Sequence, residues 1–126
     1  MKRTPVVTTK APGAIGPYSQ GISSGELVFV SGQTPLRADG TMEPGDIAAH
    51  TERCLINVRE VLIAAGLTMN DVIKTTVFMT DLGKFAAMNQ VYGKHFGPPY
   101  PARSTVQVSA LPKGADIEIE AVAVRP

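Results

Sequence analysis

The chain has a single cysteine, Cys54, so it cannot close an internal disulfide. Its two histidines, His50 and His95, are distant from each other and with Cys54 give no recognisable metal-ligand spacing, which argues against metal catalysis. Lysine and arginine form no run beyond Lys2-Arg3, and the net charge is only +1, so the chain lacks the electrostatic footprint of a nucleic-acid binder. No apolar stretch approaches the roughly 20 residues a membrane span requires. Near the N-terminus, Thr4-Pro5, Thr8-Thr9 and Pro12-Gly13 interrupt the stretch where a signal peptide would be continuously apolar. A cytoplasmic protein with no membrane partner is the expectation. Repeats and low-complexity tracts are also missing.

What remains is ordinary globular material. Hydrophobic residues make up 44% and charged residues 18% of the chain, a balance that argues against disorder. A length of 126 residues suits one domain, 1–126, with a real core and no room for a second.

Periodicity then divides the chain. Glu26 to Gly32 is a short apolar run bounded by glycines and reads as a buried strand, with Tyr18 to Ser24 as its hairpin partner. Arg37 to Gly45 is rich in turn residues and reads as a surface loop. Asp46 is placed to cap a helix in which Ile47, Thr51, Cys54, Val58, Leu62 and Ala65 recur at helical spacing until Gly66. In that helix Cys54 reads as a small buried hydrophobe, and His50, Arg53, Asn57 and Glu60 as a solvated face. The β-branched segment Asp71 to Thr80 predicts a strand. Asp81 then starts a second helix with Phe85, Met88, Tyr92 and Phe96 as its apolar stripe, stopped by Gly97-Pro98-Pro99. Two more strands, Arg103 to Val108 and Asp116 to Val124, are joined by the turn-rich Leu111-Pro112-Lys113-Gly114.

This order predicts an α+β domain with two helices packed on one face of a mixed sheet. With no third helix to cover the other face, a second copy of the chain is the natural cover, which puts sites at subunit boundaries.

Among residues able to do chemistry, Arg103 is stiffened by Pro101 and carried on a strand, where its fork suits a planar carboxylate. Taken alone, the preferred reading of Arg103 is a cross-strand ion pair with Glu118 or Glu120. Glu118 is an ordinary solvated glutamate unless its face is sealed; desolvation would then raise its pKa and make it a usable general acid or base. Tyr18, Ser31-Gly32-Gln33 and Asn89 are unremarkable one by one.

In combination they are not. Gly16-Pro17-Tyr18-Ser19-Gln20-Gly21, Val30-Ser31-Gly32-Gln33, Lys74-Thr75-Thr76-Val77-Phe78, Pro101-Ala102-Arg103-Ser104 and Ile117-Glu118-Ile119-Glu120-Ala121 closely resemble the Rid/YjgF family, also called L-PSP endoribonucleases, over nearly the whole chain. The spacing from Pro101 through Leu111 to Ile117-Glu118-Ile119 is similar to the family's C-terminal signature, the most specific of these matches.

The resemblance implies a chorismate-mutase-like fold assembled as a homotrimer around a barrel-like core, with clefts between subunits. It implies hydrolysis of the imines and enamines of 2-oxo acids (2-aminoacrylate with 2-iminopropanoate, and 2-iminobutanoate) to the oxo acid and ammonia, as in the archetypal RidA branch. Pyridoxal-phosphate enzymes release these substrates, and no cofactor is expected here. By the same resemblance Arg103 holds the substrate carboxylate and Glu118 positions or activates water. Tyr18, Ser31, Gly32 and Asn89 line the cleft, with Tyr18 stacking along the ligand. Thr105 departs from members that carry cysteine two positions after the arginine, so it offers a hydroxyl and no thiol. Three rivals remain at this level: a non-catalytic, 2-oxo-acid-binding or chaperone-like trimer, an aminoacrylate deaminase of a catabolic pathway, and an RNase, which the scattered histidines and missing basic stripe disfavour.

Overall fold

The computed structural model describes residues 2–126. Six strands form one mixed sheet: β1 (Thr4–Val6), β2 (Gly21–Ser24), β3 (Leu27–Gln33), β4 (Val72–Met79), β5 (Ala102–Gln107) and β6 (Ile117–Val124). Two helices, α1 (Ile47–Ala64) and α2 (Phe85–His95), follow β3 and β4 respectively. The order across the sheet is β1-β2-β3-β6-β4-β5, antiparallel throughout except for the parallel pair β4/β5. The α+β architecture with two helices on a mixed sheet therefore stands as expected.

Local chemistry explains the helix ends. Asp46 accepts a hydrogen bond from the Ala49 amide at 3.1 Å, satisfying one of the orphan donors of the first turn. At the other end Gly66 takes a φ of +80°, which lets its own amide reach Ile63 O and the Leu67 amide reach Leu62 O. Leu67 is then buried against the core. Between these caps Cys54, Leu55, Val58, Val61 and Leu62 are wholly buried. They pack on Val28, Val30, Ile117, Ile119, Ala121 and Ala123, the alternate residues of β3 and β6.

Four expectations need correcting. Asn57 and His50 do not belong to a solvated face. Asn57 is completely buried and donates to Thr34 O at 3.2 Å and Leu36 O at 2.8 Å. His50 bridges Asp116 Oδ1 at 2.7 Å and Glu43 O at 2.8 Å. Helical periodicity cannot see this, because the partners lie elsewhere in the chain, Thr34, Leu36 and Glu43 in the loop that precedes the helix and Asp116 just ahead of β6. Second, Asp81 caps the single turn Leu82–Lys84, and α2 begins only at Phe85. Third, β5 and β6 are sequence neighbours but not sheet neighbours. β4 lies between them, and β5 runs parallel to β4 through the α2 crossover. Fourth, β1 was not expected; it is three residues long with Pro5 at its centre, and only an edge strand tolerates proline there.

The face opposite the helices is uncovered in the single chain. Leu27, Phe29 and Val106 are exposed there, with Phe29 46% accessible.

Candidate active site

The residues singled out from the sequence fall into two groups, on opposite faces of the sheet. Thr75 pairs with Arg103, and Val77 pairs with both Thr105 and Ile119, so Arg103 and Thr105 share the helix side with the buried Ile119. Phe78 pairs with Glu118, one residue out of phase, so Glu118 points to the uncovered side.

The first group surrounds Arg103 on the edge strand β5. Its Nη1 donates to Asn89 Oδ1 at 2.7 Å. The guanidinium carbon lies 4.7 Å from the centroid of Tyr92 and 5.4 Å from that of Phe85, a cation–π cradle. Tyr92 is fixed in turn by a 2.7 Å hydrogen bond to the Thr75 hydroxyl and by stacking on Phe96. Burial raises the Tyr92 pKa, against the opposing influence of the Thr75 bond and the Arg103 charge. Among the described residues Arg103 has no carboxylate partner; the ion pairs join Arg37 and Arg53 to Glu43, His50 to Asp116 and His95 to Glu52. The expected bridge to Glu118 or Glu120 is therefore absent, because alternation places those glutamates beyond the sheet. A charge held by one amide and two ring faces keeps donors free for an incoming anion. Beside it the Thr105 hydroxyl is buried without a hydrogen-bond partner.

The second group lines a cleft of about 850 Å³ on the far side. Its floor is made by a bulge in β3: Val30 pairs with Ala121 and Gln33 with Ile119, so Ser31 and Gly32 together oppose Glu120. The Ser31 amide donates to Gln20 O at 3.0 Å and the Ser31 hydroxyl to Ser19 O at 2.6 Å. Gly32 leaves room for the carboxyl, since a Cβ there would sit 2.7 Å from Glu118 Cδ and would push that side chain aside. Glu118 is half-buried, and its carboxyl is pushed above the usual carboxylate range, first by that burial and then by the charge of Glu120 two residues on. Tyr18 and Glu120 also line the cleft, and the loop held by Asn57 and His50 closes one side. Such a carboxyl holds its proton to higher pH than a solvated one does, the direction that acid–base work requires.

Tyr18, Ser31, Gly32 and Glu118 are thus brought together, as are Asn89, Arg103 and Thr105, while the two sets are kept apart. Sequence reading missed Phe85 and Tyr92 as parts of the arginine cradle, although Phe85, Asn89 and Tyr92 share one helical face by spacing. Glu120 was likewise visible from its period-two relation to Glu118. Neither histidine enters either group, and no cluster of three or more His, Cys, Asp or Glu among the described residues could hold a metal ion. No helix of the structure is long and apolar enough to cross a membrane.

This arrangement has close counterparts. The family model described as endoribonuclease L-PSP matches residues 8–125. The chain is 46% identical over 123 residues to the 2-iminobutanoate/2-iminopropanoate deaminase of Escherichia coli, covering 95% of this chain and 96% of that protein. The crystal structure of Escherichia coli TdcF with bound serine superposes with a TM-score of 0.91 at 47% identity, covering 98% of this chain and 99% of the other. The crystal structure of the Escherichia coli YjgF gene product does so with a TM-score of 0.91 at 44% identity, over 98% and 99%. With a family model spanning almost its full length and relatives this similar over whole chains, the protein belongs to the Rid/YjgF family, that of the endoribonuclease L-PSP model.

Proposed function

We propose that the protein hydrolyses the imines of short 2-oxo acids, 2-iminopropanoate and 2-iminobutanoate, to the oxo acid and ammonia, in a site completed between two copies of the chain. The observation that carries this reading is the separation of the two groups. An arginine prepared for an anion and a carboxyl prepared for a proton lie on opposite faces of one sheet. Neither group can serve the other within one subunit, but packing the uncovered face against a neighbour would let Arg103 of one copy meet Glu118 of the next. A homotrimer with three such boundaries is the assembly we propose.

The chemistry then needs little more than positioning. Arg103 anchors the carboxylate, with Asn89 setting the guanidinium and Thr105 offering its free hydroxyl. The C2 carbon of the iminium, already electrophilic, faces a water held by Glu118 over the Ser31-Gly32 bulge. Water adds to the C=N carbon to give a carbinolamine. Glu118 takes one proton from the added water and passes it to nitrogen; C–N cleavage then releases ammonia while the remaining hydroxyl proton returns to Glu118 and leaves on the ammonia as ammonium, forming the C=O bond. The reaction consumes one water and needs no oxidant or cofactor.

The 2-iminobutanoate/2-iminopropanoate deaminase relative supports this substrate class. A purely ligand-binding role would use Arg103 and leave the desolvated Glu118 without a purpose. An RNase reading is disfavoured because both histidines are engaged in structural pairs with Asp116 and Glu52. The test is release of ammonia and pyruvate from 2-iminopropanoate generated in situ. Acceleration by wild type and its loss in Arg103→Ala and Glu118→Ala are expected; wild type matching the uncatalysed rate would end the proposal.

A further inference from the structure

One buried polar side chain beside the cleft has no part in the proposed chemistry. Gln20, just ahead of β2, is only 4% exposed. Its Oε1 accepts from the Thr8 amide at 2.8 Å, and its Nε2 donates to Thr8 O at 3.0 Å and Pro12 O at 2.9 Å, with Ala11 O at 3.4 Å. Both Nε2 donors and one acceptor site of Oε1 are thereby engaged within the protein, although Gln20 itself borders the cleft. All of these partners lie in the segment between β1 and β2, which has no regular structure of its own.

That segment is a wall of the Glu118 cleft, through Gly13, Ala14, Ile15 and Tyr18. Its tip folds on itself: the Tyr18 amide donates to Gly16 O at 2.8 Å, and the Tyr18 hydroxyl accepts from the Ile15 amide at 3.4 Å. Ile15 and Tyr18 are 72% and 52% exposed, so apolar packing within the chain does little to hold the tip in place. On the opposite side, the Gln20 carbonyl accepts from the Ser31 amide at 3.0 Å. Gln20 thus ties the wall, through its side chain, to the bulged floor next to Glu118, through its backbone.

We infer that Gln20 is a positioning residue that sets Tyr18 and its loop over Glu118 and thereby controls how tightly the cleft holds its substrate. The kinetic side of this inference rests on the imine-hydrolysis reading above. A loosened wall weakens the contacts that hold substrate in ground state and transition state alike, while Arg103 and Glu118 stay where they are, so the effect falls on KM.

Two measurements test it. In wild type, the Thr8 amide should exchange its hydrogen as slowly as strand amides despite lying in a loop. Exchange at the rate of an open loop amide would overturn the clamp without recourse to any variant. Gln20→Met, which fills the space without the hydrogen bonds, should speed exchange in residues 8–18 by about tenfold or more while β4 and β6 stay protected. It should raise KM for 2-iminopropanoate by about tenfold with kcat changed less than about threefold. Protection lost equally across β4 and β6, or a loosened segment with unchanged KM, would reduce Gln20 to a general stability residue and overturn the inference. If wild type proves inactive on the imine, the deaminase reading fails by itself. The exchange comparison, with calorimetric titration of 2-oxobutanoate in place of KM, then decides the role of Gln20.

Discussion

The Arg103 half of the site and the Glu118 half achieve the same end, a side chain held ready, by different physical means. Arg103, Asn89 and Thr105 stand on a strand and a helix whose backbones are fixed by regular hydrogen bonding, and two aromatic rings hold the guanidinium. The Glu118 half takes its glutamates from β6 and its floor from β3, but less regularly. Its floor is a strand bulge and its walls are loops, held by the buried side chains of Gln20 and Asn57 and the partly buried His50. A group that must meet the carboxylate common to every 2-oxo acid gains from a rigid mount. The side facing water and the variable end of the substrate can be remodelled in its loops without disturbing the sheet.

If the division is real, the largest effects come from removing each half in turn. Glu118→Gln should lower kcat by about 10³-fold, within the range of general acid–base catalysis, with little change in KM. Arg103→Ala should act largely on KM, because it removes a charged contact to the carboxylate. Steady-state kinetics on 2-iminopropanoate separates the two, and identical profiles for both variants would erase the distinction.

Mixing the two inactive variants sharpens it further. If each site takes Arg103 from one copy and Glu118 from another, subunits exchanged at equal ratio should recover up to about one quarter of wild-type activity, the random chance of two intact halves meeting. No recovery after verified exchange would place both groups in the same subunit's site.

A smaller loss is expected from Gly32→Ala, whose new methyl would press on the Glu118 carboxyl. A fall in kcat of about tenfold or more, with oligomeric state retained, is the expected outcome. Asn57→Ala should cost about 2 kcal/mol in urea unfolding, since it abandons the carbonyls of Thr34 and Leu36. It should weaken the Glu118 half and leave the geometry around Arg103 intact.

The smallest effect concerns pH. The Glu118 pKa is raised in the folded state, so folding stability is greatest where the group is protonated and falls as pH rises from the unfolded carboxylate range through the folded pKa. Glu118→Gln should therefore melt above wild type at neutral pH. That gain should vanish below the ordinary carboxylate range, where both forms are neutral. Thermal melts across pH 3 to 8 would show it, and an equal gain at every pH would contradict the desolvation of this carboxyl.

Much of this was legible in the chain itself. Asp46 and Gly66 bracket α1, the β-branched run 72–79 is β4, and the alternating Ile117-Glu118-Ile119-Glu120 reads directly as a strand with two unlike faces. Members of the site could be named because their motifs are local. Their partners could not. Asn57 looked like a surface residue because the loop that covers it comes from elsewhere in the sequence. Arg103 looked like a partner of Glu118 because β5 and β6 are adjacent in sequence, while the intervening β4 shifts the pairing and alternation puts the two on opposite faces.

By itself, then, the sequence determined every element but β1, the caps of α1, most of the buried stripe of each helix, Phe85 excepted, and the residue types able to bind an anion or move a proton. These depend on spacing within one segment, where side-chain direction follows from backbone period. Tertiary structure alone decided which strands lie side by side, which polar groups a distant loop would bury, and that the arginine and the glutamate lie across the sheet from one another. Those outcomes depend on contacts between residues far apart in the chain, and no local period encodes them.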